Sequence, residues 1–124
     1  MQTILIADDE PNLRLLVSTT LADPAMRVLE ARDGGEALRM ARTEMPDLLI
    51  VDWMMPQMTG IEVARHLRSD PLTAGIPIVM LTAKAQEADK ELGRSVGVHA
   101  YLVKPFSPLE LLQIVDDVLS RRNA

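Results

Sequence analysis

Five short apolar runs, each followed by an amphipathic segment of helix length, constrain this chain more than any other feature. The runs cover residues 4–7, 26–31, 48–51, 78–81 and 100–103. The first, third and fourth are almost unbroken in Ile, Leu and Val, the pattern of strands covered on both faces. The second carries Arg27 and Glu30, which suits an edge strand, where charge discourages pairing with another chain. A repeated β-then-α order predicts an α/β fold, a parallel five-stranded sheet with helices on both faces.

The helix signals agree. Pro11 can occupy a first-turn position, and Leu13, Leu16, Val17 and Leu21 follow as an apolar stripe. Asp33 with Glu36, Thr59 with Glu62, and Ser107 with Glu110 have capping-box spacing. The fourth helix, over 86–96, has a thin apolar face of Ala88, Leu92 and Val96 and should be the least firmly anchored. No linker, repeat or low-complexity stretch interrupts the pattern. Residues 1–124 therefore read as a single domain with no output domain, whether whole or cut from a longer protein.

Composition removes several classes of function. There is no cysteine, hence no disulfide framework, thiolate metal site or cysteine nucleophile. Eighteen acids against thirteen bases give a net charge of -5, and the aromatics are Trp53, Tyr101 and Phe106 alone. A direct nucleic-acid binder needs a basic face, and a single-strand binder needs stacking rings as well, so neither is expected. No apolar run approaches the ~18 residues of a membrane span and no signal-type segment opens the chain, so the expected location is cytoplasmic, with no membrane partner. His66 and His99 read as surface residues, and the eight methionines mostly as core filler.

In open parallel sheets ligands bind beyond the carboxyl ends of the strands. Those ends carry Asp8, Asp9 and Glu10 after the first strand, Asp52 after the third, Thr82 after the fourth, and Lys104 and Pro105 after the fifth. If the first and third strands are neighbours, Asp8, Asp9 and Asp52 converge, and three carboxylates that close need shared protons or a cation. A hard divalent ion with oxygen ligands fits, Mg²⁺ or Mn²⁺ in its place. A carboxylate beside such an ion can attack phosphorus, with Lys104 and Thr82 neutralising and hydrogen-bonding the phosphoryl oxygens.

The ordered text Ile-Ala-Asp-Asp-Glu-Pro at 6–11, Val-Asp-Trp-Met-Met-Pro-Gln-Met-Thr-Gly at 51–60, Met-Leu-Thr-Ala at 80–83 and Tyr-Leu-Val-Lys-Pro-Phe at 101–106 resembles the receiver domain of two-component response regulators. The resemblance implies a flavodoxin-like (βα)5 three-layer sandwich of strand order 2-1-3-4-5, one of the common orders of doubly wound sheets. It implies that Asp52 is the phosphoacceptor and that Asp9, Asp52 and the Met54 backbone carbonyl hold Mg²⁺, with Asp8 acting through water. It further implies that Thr82 and Lys104 contact the phosphoryl group, that the Lys104–Pro105 peptide is cis, and that Thr82 and Tyr101 form a switch. The implied donor is a phosphohistidine on a sensor histidine kinase or phosphotransfer protein. Residues two past Asp52 and two past Thr82, here Met54 and Lys84, flank the attacking water and would tune the lifetime of the aspartyl phosphate.

The expected role is that of a signalling phosphoacceptor with self-directed chemistry rather than an enzyme. Its output would be a downstream protein target at the face of the fourth helix, fifth strand and fifth helix. His99, Ala100 and Ile114 stand where the ion pairs of a receiver dimer would be, so the expectation is a monomer or a weak phosphorylation-dependent dimer, with Ile114 exposed for an apolar contact. The alternatives are a receiver piece of a larger transcription regulator or hybrid kinase and, more remotely, an Asp-nucleophile phosphatase. The phosphatase needs a second acid two residues past its nucleophile, where Asp52 is followed by Met54, and Asp8 by Glu10 but in the wrong context.

Overall fold

The computed structural model describes the backbone of residues 1–83 and 87–122 and the side chains of 1–83 and 90–121. Strands β1 (Gln2–Ala7), β2 (Met26–Ala31), β3 (Leu48–Asp52), β4 (Ile78–Thr82) and β5 (Ala100–Val103) alternate with five helices. These are α1 (Pro11–Thr20), α2 (Gly34–Glu44), α3 (Gly60–Ser69), α4 (Glu87–Ser95) and α5 (Pro108–Arg122). The sheet order is β2-β1-β3-β4-β5 and every pairing is parallel. Charged β2 takes an edge, as its Arg27 and Glu30 suggest.

Side-chain alternation divides the core into two layers. Ile4, Ile6, Leu48, Ile50, Val79 and Leu81 face α1 and α5, where they meet Val17, Leu21, Leu111 and Val115. Leu5, Ala7, Leu49, Val51, Ile78 and Met80 face the other way, against Ala37 and Ala41 of α2 and Val63 and Leu67 of α3. Full burial of each such aliphatic side chain stabilises the fold by roughly 1.5–3 kcal/mol. All three capping pairs form. Asp33 accepts from the Glu36 amide at 2.8 Å, and the Thr59–Glu62 and Ser107–Glu110 pairs are reciprocal.

Three local expectations change. Leu16 is 41% exposed, because the inward side of α1 is set by Val17 and Leu21, with Leu13 partly buried against the same layer. Of the expected face of α4, Leu92 is exposed while Gly93 beside it is buried, Val96 just past the helix is buried as expected, and the Ala88 side chain lies outside the described residues. Ile114 is half-buried against the α1/α5 layer and offers no exposed apolar contact. A groove of about 420 Å³ lies between α1 and α5 near Gln2 and Met26, at the end of the sheet opposite the strand C-termini. Among the described residues no helix is long and apolar enough to cross a membrane.

Candidate functional site

β3 and β4 each run one residue further than their apolar cores, so Asp52 and Thr82 are themselves the last residues of strands. Both are buried, each 6% exposed. β1 lies beside β3 and carries Asp8 and Asp9 just past its end. One carboxylate oxygen from each of Asp8, Asp9 and Asp52 consequently lies within 4.8 Å of the other two, with Asp8 fully buried and Asp9 exposed at the mouth. The backbone amide of Lys104 donates to the Thr82 carbonyl at 2.8 Å, which carries the β5 end across to β4. From there the Lys104 ammonium stands 3.3 Å from Asp8 Oδ2 and 3.3 Å from Asp52 Oδ1. The Lys104–Pro105 peptide is cis.

Among the described residues, one cation therefore faces three carboxylates. Burial pushes the Asp8 carboxyl from its ordinary 3.8 up to about 6; the Glu10 amide at 2.8 Å and Lys104 oppose this, and the Asp52 charge adds to it. Burial also raises Asp52, against the pull of Lys104 and the Met54 amide. For Lys104 burial works against the charged form, but Asp52 and Asp8 outweigh it and its pKa is raised. The remaining excess of negative charge, and a donor set made only of hard oxygens, fit a divalent cation such as Mg²⁺, which takes one or two carboxylates and keeps several waters.

The shift on Asp8 has a measurable consequence. A carboxyl that holds its proton more tightly folded than unfolded contributes stability below pH 4, and that contribution is lost as pH rises through about 6. The loss amounts to as much as ~3 kcal/mol. Without divalent metal, urea denaturation should thus give greater stability at pH 5 than at pH 7.5. Mg²⁺, binding the deprotonated cluster of the folded state, should close the gap from the high-pH side. A gap that Mg²⁺ or Asp8→Asn leaves untouched would show that it arises elsewhere.

Around the cluster, Met54 is 70% exposed, with its amide 3.4 Å from Asp52 Oδ1. Trp53 and Tyr101 meet with ring centroids 6.5 Å apart, and the Tyr101 hydroxyl donates to the Lys90 carbonyl at 3.2 Å. Lys84 lies outside the described residues. The structure adds Arg14, which sequence reasoning passed over. Its Nη1 donates to the Asp8 carbonyl at 2.8 Å while its Nε pairs with Glu30 at 3.2 Å, tying the β1–α1 turn to the edge strand. A signal existed, since Arg14 shares the inward side of α1 with Val17 and Leu21 at helical spacing.

Known proteins share this arrangement of strands. Residues 4–116 match the family described as the response regulator receiver domain. Over 120 residues the chain is 44% identical to the phosphate regulon transcriptional regulatory protein PhoB of Pseudomonas aeruginosa, covering 97% of this chain and 52% of that protein. It is 37% identical over 120 residues to protein PilH of the same organism, covering 97% and 99%. The chemotaxis protein CheY4 of Vibrio cholerae superposes with a TM-score of 0.90 at 39% identity, over 95% of this chain and 98% of that one. The chain thus spans about half the length of PhoB and nearly all of PilH. In strand order, helix placement and sequence it is a CheY-like flavodoxin fold, and the chain belongs to the response regulator receiver domain family.

Proposed function

We propose that this domain accepts a phosphoryl group on Asp52 from the phosphohistidine of a sensor kinase or phosphotransfer protein, and that the acceptor state is read by a protein partner. The observation that carries the reading is Lys104 set between Asp8 and Asp52 at 3.3 Å from each, in a cluster of three convergent carboxylates. An Asp52 oxygen forms the new P–O bond as the P–N bond of the donor breaks, and the imidazole leaves. Lys104 then exchanges a carboxylate partner for a phosphoryl oxygen, and Thr82 at the end of β4 supplies a hydroxyl. Asp9, Asp52 and the Met54 carbonyl would hold Mg²⁺, with Asp8 acting through water; the ion, when bound, offsets charge on the transferred group.

Incubation with acetyl phosphate and Mg²⁺ should add one phosphoryl group by intact mass, and chelation by EDTA should prevent it. An adduct formed equally well with EDTA would overturn the metal requirement, and no adduct at all would overturn the reading. For output, the α4–β5–α5 face offers Leu92 and Val103 as exposed apolar side chains. Residues 1–124 would then work as one receiver unit, alone or within a longer regulator.

Met54, two residues past Asp52 and 70% exposed, should also slow hydrolysis, if its thioether covers the approach of water without polarising it. Met54→Asn should shorten the lifetime of the adduct roughly tenfold, equivalent to a barrier lowered by about 1.4 kcal/mol. Decay followed by mass or by radiolabel checks this; an equal or longer lifetime counts against the role of Met54.

A further inference from the structure

The half-buried Tyr101 ring passes over α4 at the one place where that helix has no side chain. A Cβ built on Gly93 would overlap the Tyr101 hydroxyl oxygen outright and sit 2.6 Å from Cζ and 3.3 Å from Cε1. The same hydroxyl donates to the carbonyl of Lys90, one turn earlier in the helix, at 3.2 Å, and the ring lies 6.5 Å from Trp53 next to Asp52. Gly93 itself is buried. Glycine in a helix interior is unfavourable relative to alanine, so its use here needs a reason, and the overlap supplies one.

We infer that Gly93 is the seat for Tyr101, a positioning residue that fixes the rotamer of the ring against α4. While the ring is seated, its hydroxyl and the α4 backbone occupy interlocking positions. Any turn of the ring releases the helix, and any displacement of the helix at Gly93 unseats the ring. Seat and hydrogen bond together make the two movements one event. This rests on the proposed phosphoacceptor role only for what triggers the event, since the seat itself is a property of the unphosphorylated fold.

A double-mutant cycle tests it. With Tyr101→Ala already in place, Gly93→Ala should behave as an ordinary helix substitution and raise Tm by about 4 °C. With Tyr101 present, the same change should lower Tm or leave it flat, so the two shifts should differ by roughly 4 °C or more. Nuclear Overhauser contacts between the Tyr101 and Trp53 rings should vanish in Gly93→Ala while the rest of the fold keeps its amide spectrum. Beryllofluoride with Mg²⁺ should perturb the amides of 87–95 in the parent, and much less in Gly93→Ala, while Asp52 and Trp53 respond in both. Equal Tm shifts in the two backgrounds, or ring contacts that survive Gly93→Ala, would overturn the seat. A helix response of equal size in both proteins would overturn the coupling. No response to beryllofluoride in either protein would count against the phosphoacceptor reading and the coupling, while the Tm cycle and ring contacts would still decide the seat.

Discussion

Asp52→Asn should yield a protein that takes up no phosphoryl group from acetyl phosphate and yet unfolds at a higher temperature than its parent. The loss should be complete because no neighbour can take over. Asp8 is fully buried, with one oxygen held by the Glu10 amide and the other by Lys104, while Asp9 stands at the exposed mouth of the cluster. An amide of the same shape keeps the packing but has no anionic oxygen to attack phosphorus. The gain in stability has the same origin as the reactivity. Asp52 is held in a place where burial raises its pKa, so its charge costs stability at neutral pH, and a neutral isostere removes that cost. Lys104 retains Asp8 as its partner in the variant. Intact mass and thermal denaturation, both at pH 7.5 with and without Mg²⁺, read the two effects. A phosphoryl adduct that persists in Asp52→Asn would move the acceptor to another residue, and a lower Tm would mean that the cluster is held together by Asp52 rather than strained by it.

The architecture was legible because it rests on periodicities the chain shows openly. Unbroken runs such as Ile4 to Ala7 and Ile78 to Leu81 mark strands buried on both faces, and the three capping pairs mark helix starts, all of which the structure contains. The acids and Lys104 were legible as a group for a topological reason: side chains at strand ends converge once the strand order is fixed. Contacts set by direction rather than spacing were not legible. Which way α4 turns depends on whether Leu92 or Gly93 meets the Tyr101 ring, and composition favours Leu92 while the ring requires Gly93. Ile114 was misplaced for a similar reason, since α5 packs against α1 as well as the sheet and its inward face is wider than one stripe. Arg14 and Arg68 were missed because a cation on an inward helix position declares a partner without saying which carbonyl it is.

Arg68 should prove the most costly single polar residue to lose outside the acidic cluster. Among the described residues its hydrogen bonds end on three main-chain carbonyls: Ala74 at 2.8 Å, Ile76 at 2.9 Å and Gly97 at 2.8 Å. It thereby fastens the end of α3 to the segment entering β4 and to the turn between α4 and β5. Gly97 fits this contact from the other side, since it has φ +73° and a Cβ there would meet Arg68 Nε at 2.7 Å. Burial lowers the Arg68 pKa without approaching neutrality in effect, because a guanidinium stays charged at any working pH. Arg68→Met keeps much of the apolar stem but leaves three carbonyls to find water, and bonds to a charged donor contribute about 1.5–3 kcal/mol each. With partial rehydration at this edge of the fold, the variant should lose about 3 kcal/mol in urea denaturation, a large part of what a domain of this size has. Arg68→Lys, a point donor that cannot span all three carbonyls, should recover less than half of that loss. Gly97→Ala should also destabilise, and combining it with Arg68→Met should cost less than the sum, because each change disrupts the same contact. Phosphoryl uptake at Asp52, at the C-terminal end of β3, should persist in Arg68→Met wherever the protein is folded. A loss below about 1 kcal/mol, the worth of one ordinary hydrogen bond, or strict additivity with Gly97→Ala, would show that water replaces the guanidinium at little cost and that α4 is anchored by other means.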